Sequence, residues 1–364
     1  MVIRILVLII SILIFTGNVV ADNSPDSTFT DTASVKTGGL SVLPFAFYSP
    51  QTKFAFGILP TYIFYTSPES RPSSVSTPAY YTTQKQFSGA IKPEYYSGDD
   101  RNYLYSEIVF LKWPEYYYGI GSSTSKDDEE EYTINRYGIK LTAQREFFDG
   151  LYLGLTYDFG YVKFSETEAN GLLENGTVIG SEDGGISGIG LASSYDTRDL
   201  IYFPGKGNFY QFNINFYGGD LGSDYTYNRY TLDLRQYFTL ADNQYVAVQT
   251  LGDFIDGNPP FTVLPRVGDI IRGYYPTRYT DNNLMAFQSE YRLVPLWKRL
   301  GIVLFGGVGG VAPEISEFDS DNFKFGAGFG IRYVFVKQER LNLSVDIGFG
   351  ESGAEFYMAI AEAF

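Results

Sequence analysis

A cation that cannot be titrated away stands in a glycine- and proline-rich stretch. Ile271-Arg272-Gly273-Tyr274 lies within GDIIRGYYPTRYTDNN, between two runs of strand-like pattern. A guanidinium offers a planar fork of donors and keeps its charge, so its chemistry is the recognition of carboxylates. Acid–base chemistry is otherwise poorly provided for. The chain has no His, which removes the Ser-His-Asp triad, the His general base and the His-ligated metal site. No catalytic residue, no cofactor and no metal is therefore expected, and the chain reads as a non-enzyme. Lys126-Asp127-Asp128-Glu129-Glu130-Glu131 has the charge to attract divalent cations but reads as a solvated loop. Arg229, Asp233 and Arg235 share one face at strand spacing and read as a structural charge brace. Asn175-Gly176-Thr177 matches a three-residue glycosylation sequon that chance readily supplies. The glycines of residues 306–310 and 326–330 alternate with apolar residues on strands, which marks them as curvature glycines rather than a phosphate loop. A net charge of −15 argues against a nucleic-acid partner.

The elements that must position these residues are strands. Leu151, Leu153, Leu155, Tyr157, Phe159 and Tyr161 alternate with Tyr152, Gly154, Thr156, Asp158 and Gly160. Tyr210, Phe212, Ile214 and Phe216 alternate likewise with Gln211, Asn213 and Asn215. A soluble antiparallel sheet also has one apolar and one polar face. Here the apolar face is dominated by aromatics and the polar face is small and mixed in charge, as lipid outside and water inside require. Composition agrees: 32 Tyr, 30 Phe and 39 Gly are far more than a globular chain carries. About sixteen such runs can be counted, from residues 40–48 to 354–364, and an even count suits a single-chain bacterial barrel. From the fifth run on, long connections (Lys112 to Glu131, Ser165 to Gly184, Gly252 to Asp281) alternate with short turns at Asp149, Asp242 and Lys298. That segregation places long loops outside the cell and short turns in the periplasm. The fold class expected is all-β, a closed 16-stranded antiparallel transmembrane barrel. Residues 1–21 have the basic start, short apolar run and small residues of a cleaved signal peptide, followed by a periplasmic linker at 22–39 and the barrel at 40–364. Outer-membrane lipids are the first partner this implies.

Two segments carry a family resemblance. Tyr195-Asp196-Thr197-Arg198-Asp199 is followed by Phe203-Pro204-Gly205-Lys206-Gly207, and the second segment is Ile271-Arg272-Gly273-Tyr274. Together they resemble the signatures of the BamA/TamA superfamily of outer-membrane barrels, the bacterial surface antigens. The resemblance implies that the first is the turn between the eighth and ninth strands and the second the tip of a large inward-folded loop, here Gly252 to Asp281, that partly plugs the lumen. Members carry periplasmic POTRA repeats that bind client polypeptides. Residues 22–39 hold none, so the chain resembles the small, barrel-only members. In the family the loop arginine contacts an aspartate of a Phe-x-Asp-x-Gly motif, and the matching stretch here places Gly307 at that position. Alternation along residues 285–293 puts Gln288, Glu290 and Arg292 in the lumen, making Glu290 the first candidate partner of Arg272, with Asp346 and Asp233 as alternatives. The last run, with Phe356 and a closing Phe364, has the form of a C-terminal strand signal read by the assembly machinery. Insertion or translocation of client outer-membrane polypeptides, with a separate protein supplying the periplasmic part, is the activity the resemblance implies. The alternative is a passive or plugged pore.

Overall fold

Period-two alternation with two different solvents on its two sides has a single closed solution, a barrel whose strands leave no edge unpaired. A computed structural model describes residues 38–364 except 69, 201, 337–339, 352 and 361. The signal peptide at 1–21 and nearly all of the linker at 22–39 fall outside the described residues. The strands are β1 (Gly39–Ser49), β2 (Lys53–Tyr65), β3 (Pro72–Ser76), β4 (Ala79–Thr82), β5 (Phe87–Tyr96), β6 (Asn102–Tyr117), β7 (Glu130–Phe148) and β8 (Leu151–Thr167). They continue as β9 (Gly184–Asp196), β10 (Gly207–Tyr217), β11 (Tyr227–Ala241), β12 (Gln244–Gly257) and β13 (Asn283–Trp297). The last four are β14 (Leu300–Ala312), β15 (Phe323–Val336), β16 (Leu341–Gly350) and β17 (Gly353–Ile360). Apart from β3 and β4, which do not pair with each other, each pairs antiparallel with its neighbours in sequence, and β17 returns to β1. β3 and β4 are two halves of one stave, since both lie between β2 and β5. The break falls at Thr77-Pro78, where proline has no N–H for the ladder. Counted as staves the barrel has sixteen.

The outward face settles the solvent. Leu104, Phe110, Leu155, Leu191, Phe212, Leu304 and Phe329 all stand exposed on it. Exposing one such side chain to water costs about 1.5–3 kcal/mol, so a handful would cancel the roughly 5–15 kcal/mol stability of an ordinary domain. This face is solvated by lipid. The core is the lumen, where Tyr227, Tyr245, Arg292, Val303 and Arg332 are buried.

Several strand limits differ from the sequence pattern, three of them with consequences for the loops and the last strand. β6 runs on to Tyr117 and β12 to Gly257, so the largest connection is residues 258–282 and does not begin at Gly252. Asp253 and Ile255 stay in the ladder because they face the filled lumen, and Asp253 pairs with Arg229 at 2.6 Å. The last strand stops at Ile360 and does not reach Phe364. Long connections collect at one end of the barrel, at residues 118–129, 168–183, 218–226, 258–282 and 313–322. At the other end the turns at 149–150, 242–243 and 298–299 are two residues each, and 197–206 is the longest.

Candidate functional site

Connection 258–282 enters the lumen from the long-loop end and lays its tip on the wall formed by β13 to β17. Gly273 permits this: its φ of +115° is closed to residues with a Cβ, and its N–H donates to Tyr357 Oη at 2.8 Å. The wall is cleared for the tip. A Cβ at Gly307 would lie 2.9 Å from Ile271 Cδ1, one at Gly326 2.7 Å from Ile271 Cγ2, and one at Gly348 2.8 Å from the Gly273 nitrogen. Gly307, Gly309 and Gly326 are therefore docking clearances for the loop, which corrects their reading as curvature glycines. The absence of side chains at Gly307, Gly309 and Gly326 together admits Ile271. Ile271 and Tyr274 then join Val267, Tyr279, Leu284, Ala286 and Val311 in one buried apolar cluster. The Tyr274 hydroxyl donates to the Phe325 carbonyl at 2.8 Å.

Arg272 reaches two of its three candidate partners at once. One nitrogen binds Asp346 at 2.6 Å and the other binds Glu290, while the guanidinium carbon lies 3.6 Å from the centroid of the Phe305 ring. Asp233 takes no part. It pairs with Arg235 at 2.6 Å and accepts from Gln249 at 2.9 Å, as a brace within the β11–β12 wall. Glu290 and Asp346 each serve a second guanidinium: Arg292 lies 2.7 Å from Glu290, and Arg332 binds Asp346. Both of these arginines are fully buried, a position that unpaired charge cannot hold.

The far side of the same loop is tied by separate hydrogen bonds and aromatic packing rather than by a closed set of ion pairs. The Tyr275 hydroxyl donates at 2.5 Å to Glu115 on β6, Thr277 Oγ1 donates to the Tyr116 carbonyl at 2.7 Å, and Arg278 binds Thr124. Phe261 at the loop's entry packs against Tyr117 and Tyr132, with ring centroids 5.2 and 5.5 Å away. Between these attachments a cavity of about 330 Å³ remains, lined by Arg136, Asp158, Arg229, Asp253, Arg266 and Asp269 among others.

The Tyr195 to Asp199 segment organises the β9–β10 turn. Arg198 forks onto Asp196 at 2.8 and 2.9 Å and covers the Phe209 ring, and Asp199 Oδ1 accepts from the Gly205 N–H at 2.8 Å. Thr197 Oγ1 accepts from the Asn208 N–H at 3.0 Å. The folded turn drives Phe203 into the lumen, where it packs, fully buried, with Tyr245, Val294, Val303, Phe305 and Val334. Phe356 lies on β17, its ring 5.1 Å from Tyr48 across the seam. Phe364, read from the sequence as closing the terminal strand, instead lies beyond it and turns inward among Tyr237, Ala247 and Phe209, and its main-chain oxygen accepts from Arg292 at 2.9 Å. The cause is a stronger set of partners inside. Sequence reasoning missed Glu115, Arg332 and Glu362, and it named Phe203 only as part of the turn motif, without its place in the lumen. Arg332 alone was within reach of the alternation, on the same face as Gly326 and Gly330. The acidic run at 126–131 is also divided: Asp127 and Asp128 are exposed, but Glu130 is buried and accepts the N–H groups of Leu172 and Leu173 at 2.8 and 3.0 Å.

Sixteen antiparallel staves with lipid outside, a charged interior and a large loop laid on the inner wall define an outer-membrane β-barrel. The Omp85 superfamily domain signature matches residues 64–335, well over half of the chain, and the chain belongs to that superfamily. No curated protein matches it in sequence. Among solved structures it is similar to BamA from Haemophilus ducreyi lacking POTRA domains 1–3, with a TM-score of 0.62 at 12% identity over 90% of this chain and 70% of that one. It is also similar to CdiB from Acinetobacter baumannii (TM-score 0.58, 12% identity, 89% of this chain, 59% of that one) and CdiB from Escherichia coli (0.58, 8%, 90% and 68%). At these identities the likeness is one of fold.

Proposed function

We propose that this barrel inserts or translocates client outer-membrane polypeptides by opening between its first and last strands. One observation carries the reading. β1 pairs with β2 along its whole length, from Gly39↔Ile63 to Ser49↔Lys53, whereas among the described residues it pairs with β17 only at Tyr48↔Met358. A backbone hydrogen bond contributes about 0.5–1.5 kcal/mol net, so this seam separates at a small fraction of the cost of parting any other pair of staves. The exposed edge of β1 is a template for an incoming strand. In this reading Ile271-Arg272-Gly273-Tyr274 fixes the loop that fills the lumen, and a separate periplasmic protein delivers clients. Residues 1–21 are a signal peptide removed after Ala21, which mass analysis of the mature protein tests.

The alternative is a plugged, inactive barrel, favoured by the loop's attachment to both walls. Depletion in cells separates the two. Loss of other outer-membrane barrels on depletion supports insertion; unchanged levels leave the plugged barrel. In planar bilayers the filled lumen should give small or intermittent currents, and large steady currents would contradict the plug.

A further inference from the structure

Three of the lumenal arginines and three carboxylates close into a ring that runs through the segment following the last strand. From Arg272 the contacts pass to Glu290 and then to Arg292 at 2.7 Å. They continue to Glu362 at 4.0 Å, to Arg332 at 2.8 Å, to Asp346, and back to Arg272 at 2.6 Å. The six side-chain charges alternate around the ring and sum to zero among themselves, with the Phe364 main-chain oxygen as a further acceptor on Arg292. Four members stand on strands β13, β15 and β16; the other two do not. Arg272 belongs to the inward loop, and Glu362 lies beyond the end of β17. Glu362 also accepts from Asn342 at 2.7 Å, and two residues further on Phe364 is held by Arg292 through its carbonyl and, at 5.5 Å from the ring centroid, through its face.

We infer that the loop tip and the segment following the last strand are coupled through this ring, so that releasing either one releases the other. The reason is charge balance in a buried site. If Arg272 leaves, three carboxylates face two guanidiniums, and a surplus buried charge must be neutralised or hydrated. Glu290 and Asp346 cannot leave their ladders, and they retain Arg292 and Arg332. Glu362 is the carboxylate free to move to water, and it takes Phe364 with it. The reverse follows by linkage: without Glu362 the ring holds three guanidiniums against two carboxylates, and the mobile cation is Arg272. Because residues 362–364 continue from the strand that forms the seam, the coupling would join the state of the loop to that of β17. This coupling does not depend on the proposed insertion activity.

The test needs one probe at each end. 4-Fluorophenylalanine at position 364 reports the tail by fluorine NMR, and trypsin reports the loop, whose sites at Arg266, Arg272 and Arg278 lie within it. In Arg272→Ala the fluorine signal should move to the narrow line of a mobile segment. In Glu362→Gln, which alters no strand residue and no trypsin site, cleavage within 258–282 should accelerate about ten-fold. Tyr275→Phe, which loosens the loop at Glu115 without touching the ring, should leave the fluorine signal unchanged. The inference is overturned by a buried fluorine signal in Arg272→Ala, by unchanged cleavage in Glu362→Gln, or by tail release in Tyr275→Phe. Should Arg272→Ala not assemble, Glu362→Gln decides alone.

Discussion

The loop at 258–282 meets two walls by different physics. On the β13–β17 side the contact is a glycine-cleared floor carrying a closed set of buried charges. On the β6–β8 side it is an aromatic cluster of Tyr117, Tyr132 and Phe261 with a few hydrogen bonds. Buried ion pairs fail together, because removing one partner strands the charges of the rest. Apolar packing fails locally, each lost side chain costing its own area and cavity. One wall therefore behaves as a lock and the other as a hinge.

Reversing one ring charge should break the lock outright. Glu290→Lys places four cations against two carboxylates, and a loss of more than about 3–5 kcal/mol follows, the range for stranding a buried charge. Rapid proteolysis across 258–282 should result while the amide ladder stays protected in hydrogen exchange. On the opposite wall, Phe261→Ala should cost about 3–5 kcal/mol by the cavity rule, reduced where the neighbouring rings close the gap. Its effect should stop at the loop's entry: hydrogen exchange should rise near residues 258–264 and stay low at Ile271 and Gly273. If exchange rises equally at both, the two walls are not distinct. The smallest effect belongs to Thr277→Val, which removes the hydrogen bond to the Tyr116 carbonyl and should cost about 1 kcal/mol. A thermal melt of the detergent-solubilised protein should register it as a shift of a few degrees at most.

Much of this was legible in the sequence. Alternation at Leu151 to Tyr161 and Tyr210 to Phe216 fixes which face meets lipid, because a one-residue slip would invert every side chain. Loop segregation follows from the spacing of the same runs. The break at Thr77-Pro78 is visible once proline's missing N–H is weighed. What alternation cannot carry is long-range pairing. Nothing near Arg272 indicates that Asp346 lies beside it as well as Glu290. A glycine row reads the same whether it bends a strand or clears a seat for Ile271. Phe364 follows an outward-facing pattern up to Ile360 and then departs from it, since buried partners outside its own segment decide its course.

The central claim is that the seam between β1 and β17 opens for a client. The chain has no cysteine, so Tyr48→Cys with Met358→Cys, at the register pair that closes the barrel, introduces its sole disulfide. The measurement is the folding rate of an unfolded outer-membrane barrel polypeptide into vesicles containing this double variant, oxidised and then reduced. Acceleration by the reduced protein, lost on oxidation and regained on reduction, is the predicted result. Equal rates in the two states would contradict the account.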